Sequence, residues 1–109
     1  LIKGNQGHGF VLIRAIRPEK GITTMQKRRA TKDVKNLCSG PGKLTIALNI
    51  NGDHHGQSFT KKTSKFWFED TNEKIRVISD RRIGISRSKD LLWRFLEDDS
   101  DFVSKKKGR

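Results

Sequence analysis

At 109 residues the chain has the length of one small domain. Lys and Arg number 24 against 12 Asp and Glu, a formal net charge of +12, and only 32% of residues are hydrophobic, so the core is thin for a domain of this size. No stretch approaches the ~18 apolar residues of a membrane helix, no secretory signal is evident, and the lone cysteine, Cys38, excludes an internal disulfide framework and a cysteine-rich zinc site. A reducing compartment follows from the same cysteine usage. The surplus positive charge points to a polyanion, nucleic acid first.

Residues 1–9 (LIKGNQGHG) are polar and Gly-rich and predict a loop or turn. Residues 10–16 (FVLIRAI) predict a buried strand ended by Pro18. Arg14 is then a charge inside an apolar strand. Either it is paired or reaches a wet cleft, or it sits on an edge strand facing solvent. Residues 21–29 suit a short helix with Ile22, Met25 and Gln26 on one face and Lys27, Arg28 and Arg29 outside. Thr31 predicts an N-cap for a second helix over 32–37. Ser39-Gly40-Pro41 reads as the start of a third, with Leu44, Ala47 and Leu48 at i, i+3, i+4 and Asn51-Gly52 as its stop.

Residues 51–65 show no periodicity and predict a long loop or insertion. Short strands are expected at 66–68 (FWF), 75–78 (IRVI), 82–86 (RIGIS) and 93–96 (WRFL). The EDDSD segment at 97–101 reads as an acidic turn, Phe102 and Val103 close the fold, and residues 104–109 form a basic tail. Neither an internal repeat nor a domain boundary stands out.

Few segments carry chemistry. Ser39-Gly40-Pro41-Gly42-Lys43 resembles a phosphate cradle, but Leu37 and Leu44 occupy positions where a Walker loop needs Gly and Ser or Thr. What remains is a helix N-terminus with free N–H groups, small residues and a first-turn lysine, which suits one phosphate. The alternative is an ordinary helix cap. His54-His55 lack a third ligand at useful spacing and read as solvated rather than metal-binding. Cys38 lies near a helix start, and packing is the better reading than reactivity. Lys27-Arg28-Arg29, Lys61-Lys62-Lys65, Arg81-Arg82 with Arg87, and the tail have the composition of a phosphate-contacting face. Phe66, Trp67, Phe68, Trp93 and Phe95 are either base-stacking or core aromatics. No acidic pair is placed for acid–base work.

Four segments taken together carry a resemblance: FVLIRAIRPEKGITTMQKRR at 10–29, LCSGPGKLTIALNI at 37–50, RRIGISRSKDLLWRF at 81–95 and DFVS at 101–104. In this order and spacing they resemble the C-terminal half of the 3-methyladenine DNA glycosylases, the alkyladenine or N-methylpurine type. The resemblance implies a mixed α/β (α+β) fold: a curved, mainly antiparallel sheet flanked by short helices, in a single domain of which residues 1–109 are the C-terminal portion. It implies base-excision repair of damaged double-stranded DNA by a monomer without cofactor, metal or membrane. An alkylated or deaminated purine (3-methyladenine, 7-methylguanine or hypoxanthine) is flipped from the duplex and its N-glycosidic bond is hydrolysed through an oxocarbenium-like state.

Carried across residue by residue, the resemblance gives Arg14 and the backbone carbonyl of Ile83 the task of holding the attacking water. It makes Lys43, Arg82, Ser39 and Gly40 DNA-contacting residues. The family's catalytic glutamate, base-sandwiching aromatics and wedging tyrosine belong to its N-terminal half and have no counterpart here. The isolated chain is therefore expected to be inactive. Leu1 at the start, the lack of tyrosine and the thin core all lead to the expectation of a further N-terminal portion. Arg17 stands where the family has an acidic residue, and the 51–65 segment has no match. Composition alone favours a different class, a small basic structural RNA-binding protein such as a ribosomal component. The KKKGR tail suits a eukaryotic nucleus or a bacterial cytoplasm equally.

Overall fold

The computed structural model describes residues 1–85, 87 and 90–106. The last residue of the expected 82–86 strand and the end of the basic tail lie outside the described residues. The elements in chain order are strands β1 (Ile2–Gly4) and β2 (Gly7–Gly9), helix α1 (Ile22–Arg29), a 3-10 turn at Val34–Asn36, helix α2 (Pro41–Leu48), a 3-10 turn at Gly52–His54, and strands β3 (Val77–Asp80) and β4 (Arg94–Glu97). The class is α+β. Its antiparallel strands form two separate pairs, β1–β2 and β3–β4, among the described residues. The chain divides into two compact units, one of Leu1–Asn49 with Asp101–Ser104, the other of Ile50–Ser100 with Lys105 and Lys106.

The first unit is built on its two helices. α1 buries Met25 and places Lys27, Arg28 and Arg29 in its last turn, where cations complement the helix dipole. It stops at Ala30, whose φ of 52° is left-handed and costly for a residue with a Cβ. α2 begins with Pro41 after an extended Gly40, because proline sacrifices no helical hydrogen bond in the first turn. It ends at Asn49, also left-handed at φ 55°; Asn51-Gly52, expected to stop it, come after the helix has already turned. Met25, Leu37, Cys38, Leu44 and Ala47 form the buried core, with Ile16, Ile22, Val34 and Leu48 packed against it.

Several expected elements differ. Residues 1–9 form a hairpin, Ile2 opposite Gly9 and Gly4 opposite Gly7, rather than a loop. Residues 10–16 make no ladder, and Phe10, Val11 and Leu12 stand 84%, 61% and 65% exposed. A strand is a property of a pair, and apolar composition supplies no partner. The expected 32–37 helix is a single 3-10 turn, and Thr31 accepts a hydrogen bond from the Asp33 N–H (3.2 Å) instead of capping a helix.

In the second unit the expected strands at 75–78 and 93–96 each appear shifted toward the C-terminus, paired Val77 with Glu97 through Asp80 with Arg94. Residues 66–68 are not a strand. The Phe68 N–H instead reaches the Phe59 carbonyl at 2.7 Å, with the two rings 5.3 Å apart. The described part of 82–86 is not a strand either: Gly84 turns with φ +70°. Within the 51–65 loop the Asn51 side chain accepts from the Asp53 N–H, and His54 Nδ1 accepts from the Asn51 N–H at 3.0 Å. His54 thereby serves as a cap. Residues 97–101 turn as expected, through Asp99 at φ 57°. No helix among the described residues is long and apolar enough to cross a membrane.

Candidate nucleic-acid interface

In the first unit, the phosphate-cradle segment is organised around Lys43. Its ammonium donates to Asn36 Oδ1 at 2.6 Å and lies 3.4 Å from Ser39 Oγ. Ser39 is buried and directs its hydroxyl to the same Asn36 oxygen at 3.4 Å. Among the described residues no side chain caps α2, so the N–H groups of its first turn have no capping side chain there. Gly40 precedes them in an extended conformation, and a Cβ there would rest 3.5 Å from Lys43 Cδ, an ordinary contact. Ser39, Gly40 and Lys43 are thus brought together at one helix N-terminus, and Asn36, which sequence reasoning passed over, joins them. The 3-10 turn carries Asn36 there, and nothing in its spacing signals it.

Arg14 is half-buried in the segment that leads to this core. Two residues on, the Ile16 N–H donates to the Cys38 carbonyl at 3.1 Å, and Ile16 packs on the core. The same residue, Cys38, thus closes the Ile16 contact with its carbonyl and immediately precedes Ser39. Its thiol donates toward Met25 Sδ at 3.8 Å, and burial holds its pKa above the ordinary value, opposed by a smaller lowering from the Arg29 guanidinium. This is a packed thiol rather than a reactive one. Arg17, at the position where an acidic residue was expected, approaches Glu19 at 3.6 Å on the surface.

The α1 cations divide in use. Arg29 donates through Nε to the Leu37 carbonyl (3.0 Å) and through Nη2 to the Asn36 carbonyl (3.1 Å), and Arg28 Nη1 donates to the Ala47 carbonyl at 3.0 Å. Two members of an expected phosphate-contacting cluster therefore serve as struts between α1 and the α2 region.

The other candidates lie in the second unit. Residues 80–84, Arg94 and Lys105 line an open cleft of about 470 Å³. Ile83 is half-buried and Arg82 exposed. The Arg82 guanidinium stands 6.0 Å from the ring centroid of Trp93, at the outer limit of a cation–π contact. Trp93 and Phe95 are 64% and 69% exposed, so these aromatics are not core. The inward position belongs to Arg94, 8% exposed, which donates to Asp80 Oδ2 at 3.1 Å and to the Lys105 carbonyl at 2.7 Å. Exposure alternates along 93–96, with Arg94 and Leu96 turned inward and Trp93 and Phe95 outward.

Comparison with known proteins places this chain in a family. The profile of the methylpurine-DNA glycosylases matches residues 2–101. Relatives bearing the name 3-methyladenine DNA glycosylase include one from Francisella tularensis subsp. tularensis, 43% identical over 99 residues, covering 88% of this chain and 51% of the relative. Another, from Chlorobaculum tepidum, is 44% identical over 99 residues (89% and 46%), and one from Agrobacterium fabrum is 46% identical over 96 residues (88% and 49%). The chain belongs to the methylpurine-DNA glycosylase family. It spans about half the length of the relatives it matches.

Proposed function

We propose that the chain provides the C-terminal portion of a base-excision DNA glycosylase, and that the protein it serves hydrolyses the N-glycosidic bond of alkylated or deaminated purines, 3-methyladenine, 7-methylguanine and hypoxanthine, flipped from duplex DNA. The observation that carries the reading is the family match over residues 2–101. The charge of +12 supports it, because neutralising phosphates offsets the few kcal/mol that base flipping costs.

The roles are assigned residue by residue. Arg14 donates hydrogen bonds to the attacking water, holding its lone pair toward the anomeric carbon as the bond to the purine breaks and the sugar takes on oxocarbenium character. The Ile83 carbonyl accepts from the water. Lys43, with Ser39 and the Gly40 backbone, holds one DNA phosphate at the α2 N-terminus. Arg82 contacts a second phosphate from an exposed position. The protein acts as a monomer. No carboxylate in residues 1–109 is assigned to activate the water, so the 109-residue chain alone releases no base.

The test uses the purified 109-residue chain with four nucleic acids of equal length: a duplex containing an abasic site, a duplex containing hypoxanthine, an undamaged duplex and a structured RNA. Tightest binding to the abasic duplex, with no release of hypoxanthine above the no-enzyme rate, is the expected result. Preference for the RNA would overturn the reading in favour of a structural RNA-binding protein. Base release by the chain alone would overturn the assignment of the general base elsewhere.

A further inference from the structure

Arg94 is buried at 8% exposure, and its Nε has no hydrogen-bond partner among the described residues. An arginine placed there for stability alone is a poor choice. A buried ion pair is often no better than apolar residues of the same volume, and an orphaned N–H adds a desolvation cost. What the side chain does supply is a planar fork between fixed acceptors.

Its two terminal nitrogens hold Asp80 Oδ2 at 3.1 Å and the Lys105 carbonyl at 2.7 Å. Asp80 and Arg94 are also the last cross-strand pair of β3–β4, at the end from which residue 81 departs. The second oxygen of Asp80 accepts from the Arg81 N–H at 2.7 Å. A chain of contacts therefore runs from guanidinium to carboxylate to the first amide of the segment Arg81–Gly84, which turns at Gly84 with φ +70°. Arg82 and Ile83 lie inside that segment.

We propose that Arg94 is a positioning residue: through Asp80 and the Arg81 amide it sets where the Arg82 cation and the Ile83 carbonyl stand. This rests on the DNA role proposed for Arg82. Arginine is required because lysine, a point charge, does not hold carboxylate and carbonyl at once in a fixed plane. Arg94 touches no DNA itself.

The experiment measures affinity of the 109-residue chain for an abasic-site duplex, and amide hydrogen exchange, for Arg94→Lys, Asp80→Asn, Arg82→Ala and the Arg94→Lys/Arg82→Ala double variant. Arg94→Lys keeps the charge and is expected to weaken binding about tenfold alone, but less than about twofold once Arg82 is already alanine, because coupled residues are non-additive. Exchange at Arg81–Gly84 is expected to accelerate in both Arg94→Lys and Asp80→Asn while β3 and β4 stay protected. Equal losses of affinity in the two backgrounds overturn the proposal, since that is general loosening. So does loss of β3–β4 protection in both single variants, which would make the pair a clamp on the whole hairpin. If Arg82→Ala leaves affinity unchanged, the DNA role of Arg82 fails, and the exchange data alone decide the positioning claim.

Discussion

The Lys43 ammonium donates to the side-chain oxygen of Asn36 at 2.6 Å, across the mouth of the α2 N-terminus. Asn36 offers a neutral oxygen, so the contact fixes the lysine without cancelling its charge. That arrangement predicts separate outcomes for the two partners. Lys43→Ala is expected to reduce the slope of log affinity against log salt by about 0.9, the loss of one phosphate contact. Asn36→Ala is expected to leave that slope unchanged and to cost about 1 kcal/mol of stability. Titration of duplex binding across a salt series checks both. An unchanged slope for Lys43→Ala would reduce Lys43 to a structural strut.

Arg14 has a signature that separates catalysis from anchoring. In a catalytically competent form of the protein, Arg14→Ala is expected to lower turnover on a hypoxanthine duplex by about 100-fold, the scale for removing one preorganised donor. Affinity for the abasic product is expected to fall far less, because the role proposed for the group is exerted on water in the transition state. Single-turnover rates and product-binding isotherms give the two numbers. Equal losses would make Arg14 a DNA anchor only.

Helices were more legible in the sequence than strands, for a physical reason. A helix closes its hydrogen bonds within a few residues, so Ile22 and Met25, or Pro41 with Leu44 and Ala47, carry their own evidence. Phe10–Ile13 carry apolar composition and nothing about a partner, and they make no ladder. The hairpin at 1–9 was missed because Gly-rich polar segments look like loops whether or not they pair. In the candidate interface, the cluster of Ser39, Gly40 and Lys43 was legible because it is contiguous. Asn36 and the Asp80–Arg94 pair were not, since their roles depend on a 3-10 turn and on strand register.

Cys38 gives a pH dependence with a definite sign. Burial favours the neutral thiol, so its folded pKa lies above the ordinary value near 9.0. The folded state therefore binds the proton more tightly than the unfolded state, and the stability this provides is complete below the unfolded pKa. It is lost as pH rises from about 9 through the folded value. The informative quantity is the difference between the native chain and Cys38→Ala, which removes every contribution the two share. Urea midpoints of the two are expected to converge above pH 9, from a native chain that is more stable at pH 7. A constant gap across that window would sink the assignment.

Arg29 fastens α1 to the carbonyls of Asn36 and Leu37, and Leu37 is fully buried. Arg29→Lys keeps the charge but supplies no fork, and is expected to cost roughly 1–3 kcal/mol. Denaturant midpoints measure the loss. The salt slope of DNA binding is expected to stay as it was, because this cation faces inward. A reduced slope would return Arg29 to the phosphate-contacting face.

The unladdered run at 10–15 also bears on how the molecule is cut. Proteases bind substrates as extended chains, and a backbone outside any helix or sheet meets that need without local unfolding. Trypsin has one bond to choose in that run and a second candidate just beyond it. Arg17 is followed by Pro18, which blocks cleavage, whereas Arg14 is followed by Ala15. Within this run the scissile bond is Arg14–Ala15, just ahead of the Ile16 tether to Cys38. A nick there would part Leu1–Arg14 from the two-helix core, so the hairpin and the core would separate at Arg14.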